Sequence, residues 1–180
     1  MPTHRKRLRR FEIAGHARFL TFSCFQALPL FNNDRIKDAF AEHLEQVRQR
    51  GGCAVHAWVI MPEHVHLVIT PALPEWTIVR SLLALKRPFA QKVIARWREL
   101  RAPILNRICD SRGTFRFWQR GGGYDRNIVT PEELIEKIEY VHANPVRRQL
   151  VSLAGEWRWS SAAWYEGNRD GPVTIDPPDL

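Results

Sequence analysis

Cysteine is scarce in this chain, with three in 180 residues, and Cys24, Cys53 and Cys109 stand apart and outside any C-x-x-C spacing. An odd, scattered set excludes a disulfide framework and a thiolate zinc site. The three are expected as small buried hydrophobes in a reducing, cytoplasmic setting. Long apolar runs are missing too. Nothing approaches the roughly 18 uninterrupted apolar residues of a spanning helix, which argues against a membrane protein. The opening stretch "MPTHRKRLRRFEIAG" is charged but has no apolar core of about 7 to 15 residues behind it, so it does not read as a secretory leader. Negative charge is also in short supply, since 19 Asp+Glu face 27 Lys+Arg, for a net charge of +8 and a pI near 10.0. Such a field suits a polyanionic partner, with nucleic acid ahead of an anionic membrane.

What is present suffices for one folded unit, because 44% of the residues are hydrophobic and the length fits a single domain of roughly 100 to 200 residues. No internal repeat appears. A basic arm (1–17) precedes "RFLTFSCFQAL" (18–28), a strand pattern ended by Pro29. Residues 32–52 place Ile36, Phe40, Leu44 and Val47 at helical spacing between Asn/Asp caps and Gly51. "CAVHAWVI" (53–60) and "HVHLVIT" (64–70) are β-rich runs joined across Met61, Pro62 and Glu63, which suits an antiparallel hairpin. A strongly basic helix is expected from Thr77 to about Arg101, kinked or broken at Pro88. Residues 102–124, with "FRFW" (115–118) and Gly121 to Gly123, read as a strand or loop. A further helix opens on Thr130, with Glu133 as its capping-box partner and Pro131 at the first helical position, and is expected to halt at Pro145. Residues 166–180 are poor in apolar side chains and are expected as a flexible, loosely draped tail. This order implies an α+β, ferredoxin-like antiparallel sheet with packed helices, with the domain ending near residue 165.

Within the hairpin stands "MPEHVHLVI" (61–69). Alternation along a strand puts His64 and His66 on one face and Val65, Leu67 and Ile69 on the other. Backbones about 6.6 Å apart let two imidazoles converge on one metal ion. The alternative is a pair of surface or hydrogen-bonded histidines. His-x-His also occurs in large metal-dependent hydrolase barrels, but those need about 250 residues. His56, on the preceding strand, could be a third ligand. Farther on, Tyr140 and Asn144 are one helical turn apart and share a face. Tyr140 lies about 200° round the helix from Ile138, off the stripe of Leu134, Ile138 and Val141, so it is expected to point outward, available for chemistry. The blander readings are an amphipathic tyrosine and an asparagine cap before proline.

Taken together, "AWVIMPEHVHLVI" (57–69), "FRFWQRGGGYDRNI" (115–128) and "IEYVHANPVRRQLV" (138–151) resemble the REP-associated tyrosine transposases. These are relatives of the single-tyrosine transposases named for a His-hydrophobic-His motif. The resemblance covers roughly residues 18–165 and implies a domain that cleaves and rejoins single-stranded or hairpin DNA, including palindromic repeats. It implies Tyr140 as the nucleophile that forms a 5′-phosphotyrosine. His64, His66 and Asn144 match the residues that hold a divalent metal, Mg²⁺ or Mn²⁺. Because imidazoles suit transition metals, Mn²⁺ should support activity at least as well as Mg²⁺, and a strict need for Zn²⁺ would overturn the assignment. Glu63 matches the family's "PEH". Arg147 and Arg148 follow the tyrosine helix, and with Arg5, Lys6, Arg7, Arg9 and Arg10 of the arm they are the expected DNA contacts. Trp157, Trp159 and Trp164 read as core-packing residues ahead of base-stacking ones. A monomer or homodimer fits. A non-cleaving binding module for repeats, or a hydrolase using the two histidines and a water, would share part of the pattern.

Overall fold

The structure is a computed structural model describing residues 13–121 and 123–178. The elements run β1 (Arg18–Ser23), α1 (Asp34–Gln49), β2 (Cys53–Ile60), β3 (His64–Pro71), α2 (Ile78–Glu99), α3 (Leu105–Ile108), β4 (Tyr124–Asn127), α4 (Pro131–Arg147) and α5 (Ala162–Tyr165). The strand pairings are antiparallel, in the order β2-β3-β1-β4, as in a ferredoxin-like sheet. The β2–β3 hairpin forms where the two β-rich runs predict it. The regular fourth strand lies just beyond "FRFW", which itself makes only the bridges Cys109 to Phe115 and Cys24 to Trp118.

The sheet is buried on both faces. Leu20, Phe22, Val65, Leu67 and Ile69 face α1 and α2, where Phe40, Leu44, Leu85 and Phe89 complete the larger core. Phe19, Val59 and Val68 face the other way, onto Leu134, Ile138 and Val141 of α4. Alternation along β2 is reset by a bulge between Val55 and Ala57, so Val55 shares the larger core with Trp58 and Ile60. One extra residue is what flips the pleat. The bulged residue is His56. Its Nδ1–H donates to the Asp176 carbonyl (2.7 Å) and its Nε2 accepts from the Thr70 hydroxyl (2.8 Å). Both ring nitrogens are thus engaged in holding the bulge, which removes His56 as a third metal ligand.

Neither internal proline stops its helix. Pro88 lies within α2 and, having no N–H, makes no hydrogen bond to the Ala84 carbonyl. That carbonyl accepts instead from His43 Nε2–H on α1 at 2.9 Å. Burial lowers the His43 pKa from its ordinary 6.5, so the unfolded chain takes up a proton first as the solution is acidified. The contribution of neutral His43 to stability is therefore present above about pH 6.5 and is lost as the pH falls through its lower folded value. A double-mutant cycle tests the pairing. His43→Phe should cost about 1–2 kcal/mol by orphaning the carbonyl, and less in a Pro88→Ala background, where the alanine brings its own N–H. Equal losses in urea titrations of both backgrounds would refute the compensation.

Pro145 likewise sits inside α4, which continues to Arg147. Arg148 N–H bonds the Asn144 carbonyl (3.0 Å), so Asn144 is a helix-interior residue and not the expected terminus. At the other end of α4, Thr130 Oγ1 accepts from Glu133 N–H (3.2 Å), and the Glu133 carboxylate returns to Val129 N–H (3.0 Å). The reciprocal cap is as predicted, displaced by one residue on its return arm.

The loosely draped tail is a second correction. Val173 and Ile175 are buried in the larger core. The Asp176 carboxylate accepts from two Arg48 guanidinium nitrogens (2.6 and 2.8 Å) and from Val55 N–H (2.8 Å). Two apolar residues suffice because a partly buried ion pair and a strand N–H fix the segment beside them. Cys24 and Cys53 are buried as expected, but Cys109 is exposed. No helix of the described residues is long and apolar enough to cross a membrane.

Candidate active site

The site is assembled where β3 begins, under the C-terminal half of α4. Pairing of β1 with β3 sets Thr21 opposite His66 and Ser23 opposite His64, so both imidazoles emerge toward α4. Their Nε2 atoms are 3.0 Å apart. Each ring is held from behind through Nδ1, His64 by the Glu63 carboxylate (3.2 Å) and His66 by the Thr21 hydroxyl (2.7 Å). A carboxylate only accepts, so the His64 proton sits on Nδ1 and its Nε2 carries a lone pair. His66 then meets that lone pair with Nε2–H while Nδ1 accepts from Thr21 O–H.

His66 is 4% exposed. Burial pushes its pKa down to about 3, with the neighbouring His64 adding to the drop and a hydrogen bond with Asn144 opposing it. Burial also lowers His64, against the pull of Glu63. Both rings are thereby kept neutral, the form in which imidazole binds a cation. Glu63 is itself gripped by Arg148 at 2.6 Å. The end of α4 is thus tied to the start of β3, which is a structural duty for Arg148 beside the expected DNA contact.

Tyr140 is exposed, as expected from the helical stripe, and its ring also reaches the site. Its ring stands edge-on to His66 (5.5 Å between centroids) and to Phe19 (5.6 Å), with the Arg147 guanidinium 5.3 Å from its ring centroid. At 36% exposure it lies half in the site and half in solvent. The reason is tertiary, because α4 lies across the His face of the sheet and a residue at the edge of its apolar stripe still reaches that face. Asn144 donates from its amide nitrogen to the Tyr140 carbonyl (2.7 Å), and its influence on His66 is to oppose the fall in that ring's pKa.

His64, His66, Tyr140 and Asn144 thus come together, with Arg147 and Arg148 at the rim. Arg5, Lys6, Arg7, Arg9 and Arg10 lie outside the described residues. The three tryptophans pack, as expected. Trp157 donates to the Ile60 carbonyl (3.0 Å) and Trp159 to Asp38 (2.9 Å), while Trp164 lies against the larger core. Reading the sequence missed Thr21 and Phe19, whose part depends on β1 pairing with β3 across more than forty residues of chain. It also found no chemical role for Glu63, although that residue's place beside His64 was a usable signal.

The model of the family described as "Transposase IS200 like" matches residues 20–144. The chain belongs to the IS200-like transposase family. Among curated proteins, an Escherichia coli K12 "REP-associated tyrosine transposase" is 26% identical over 109 residues, which are 59% of this chain and 53% of that protein. The chain therefore matches about half the length of this relative. A solved structure described as a REP-associated tyrosine transposase bound to a REP hairpin superposes with a TM-score of 0.61. The superposition covers 98% of this chain and 91% of that one at 20% identity, and so shows a shared fold.

Proposed function

We propose that this IS200-like transposase family member cleaves and rejoins single-stranded or hairpin DNA through a 5′-phosphotyrosine at Tyr140. The observation that carries this reading is the Tyr140 ring against His66, whose Nε2 meets that of His64 at 3.0 Å. Tyr140 Oη attacks the phosphorus in line, the bond to the 3′-oxygen breaks, and that oxygen leaves as a 3′-hydroxyl. The phosphate ester is retained on the enzyme, so a second DNA 3′-hydroxyl can attack it, restore the phosphodiester and release the tyrosine. The REP hairpin bound by the solved relative supports a palindromic hairpin as the substrate here.

The two imidazoles fit a divalent cation. The two Nε2 atoms stand 3.0 Å apart on one face of β3, and both rings are neutral, so His64 and His66 would hold the ion together. Among the described residues no group of three or more His, Cys, Asp or Glu side chains could share the ion. The Asn144 amide oxygen, its nitrogen already given to Tyr140, is the remaining protein donor. Two nitrogens and one oxygen suit Mn²⁺ at least as well as Mg²⁺. The chemistry such an ion supplies is neutralisation of charge on a non-bridging phosphate oxygen as Tyr140 attacks. For both rings to turn lone pairs to it, the His66 proton must sit on Nδ1, where Thr21 Oγ1 accepts it. A hydroxyl serves either tautomer because it both donates and accepts.

Incubation of the protein with an end-labelled hairpin oligonucleotide and Mn²⁺, followed by a denaturing gel, tests the proposal. An adduct resistant to denaturation is expected, with a free 3′-hydroxyl on the released strand. Cleavage without adduct would favour a metal hydrolase, and binding without cleavage a repeat-binding module. Thr21→Val should raise the Mn²⁺ concentration needed for half-maximal cleavage about 10- to 100-fold, the usual cost of removing a ligand's supporting hydrogen bond, with DNA affinity unchanged. Thr21→Ser should restore it. An unshifted Mn²⁺ titration for Thr21→Val would show that Thr21 only packs.

A further inference from the structure

The Tyr140 side chain is aimed by its ring and not by its oxygen. Among the described residues no hydrogen bond holds the Tyr140 hydroxyl, and the bond from Asn144 goes to the Tyr140 carbonyl. A nucleophilic oxygen has to stay uncommitted to reach phosphorus, yet attack tolerates little error, and a misplacement of about 1 Å can cost on the order of 100-fold in rate. Contacts of the ring must therefore fix the side-chain torsions.

Three groups make such contacts. The Arg147 guanidinium lies 5.3 Å from the ring centroid, but Arg147 is exposed, and a long side chain in solvent keeps many rotamers. His66 meets the ring at 5.5 Å and 77°, and Phe19 at 5.6 Å and 88°. Phe19 and His66 are themselves stacked, 5.5 Å apart and 19° from parallel. Tyr140 thus stands across a two-ring stack, and the three rings close a triangle with one corner each from β1, β3 and α4. Strand pairing builds the stack, because Phe19 lies opposite Val68 and so diagonal to His66 on one face. Phe19 is 6% exposed and clusters with Leu134, Ile138 and Val141, so it is a fixed wall. Edge-to-face packing is directional, and such a wall sets an angle as well as a distance.

We infer that Phe19 is a positioning residue for strand cleavage, its ring fixing the direction of the Tyr140 hydroxyl relative to the imidazole pair. The inference rests on Tyr140 being the nucleophile. The chain has three tyrosines, so protein grown with 3-fluorotyrosine can be followed by ¹⁹F NMR, with Tyr140→Phe assigning the Tyr140 signal. In metal-free protein, Phe19→Leu should shift and broaden that signal. In single-turnover cleavage of a hairpin, Phe19→Leu should be about 10- to 100-fold slower, with hairpin affinity and the Mn²⁺ concentration for half-maximal rate within about twofold of the parent. Phe19→Met, which fills more of the space but has no ring plane, should melt closer to the parent and still be slow. Ile128→Ala, a truncation in the same core, should lower the melting temperature without slowing cleavage. A parental rate and an unmoved Tyr140 signal in Phe19→Leu would overturn the inference. So would a slowing that excess Mn²⁺ removes, which would assign Phe19 to His66, or one that Ile128→Ala reproduces, which would reduce Phe19 to packing. Absence of the covalent adduct with the parent protein overturns the reading of Tyr140 instead.

Discussion

Tyr140→Phe should eliminate the covalent DNA adduct and reduce cleavage on the order of 10⁴-fold or more, the scale of losing a nucleophile, while hairpin affinity stays within error. The separation is expected from where the side chain sits. Its ring makes the edge contacts with Phe19 and His66 and lies beneath Arg147. Phenylalanine keeps all of these and loses only an oxygen at the half-exposed end of the ring. Stability should therefore move by less than about 1 kcal/mol. An adduct that persists in Tyr140→Phe would transfer the nucleophile elsewhere, with Tyr124, another exposed tyrosine near Phe19, as the first place to look.

The second large effect is expected at the histidines. His64→Ala and His66→Ala should each lower cleavage on the order of 10³-fold, because one imidazole cannot hold the cation that balances charge on the phosphate. They should differ in stability. His64 faces the site mouth beside Glu63 and Arg148, so its loss should cost little. His66 is buried, stacked on Phe19 at 5.5 Å and bonded to Thr21, so its removal leaves a gap and an unpaired hydroxyl worth about 1–3 kcal/mol. Excess Mn²⁺ should partly rescue His64→Ala, the variant whose remaining ligand keeps its support. Cleavage by His64→Ala at the parent rate would refute a shared metal at this pair. Thermal melts alongside the cleavage assay separate lost chemistry from lost fold.

These expectations show how far local pattern reaches. The helix from Asp34, the hairpin around Pro62 and the cap at Thr130 were legible because each depends on residues within a few positions. The same is true of the two histidines sharing a face, since alternation is a property of one strand. Pro145 misled, and Pro88 leaves its helix unbroken, for the complementary reason. Whether a lost N–H breaks a helix depends on what else satisfies the carbonyl, and for Pro88 that is His43, far earlier in the chain and on another helix. The tail misled in the same way. Its two apolar residues look too few to anchor it until Arg48 and the Val55 N–H are set against Asp176.

By itself the sequence determined the chemical vocabulary: a basic chain without a disulfide pattern, two imidazoles on one face of a strand, and a tyrosine one turn before an asparagine. Local rules of period two and period 3.6 suffice for that much. Only the tertiary structure decided that the tyrosine reaches the imidazoles, that Thr21 and Glu63 aim them, and that His56 is a strut holding a bulge. Each of these follows from strand pairing and from the face on which α4 lies. Such contacts join residues tens of positions apart, and no spacing along the chain encodes that distance.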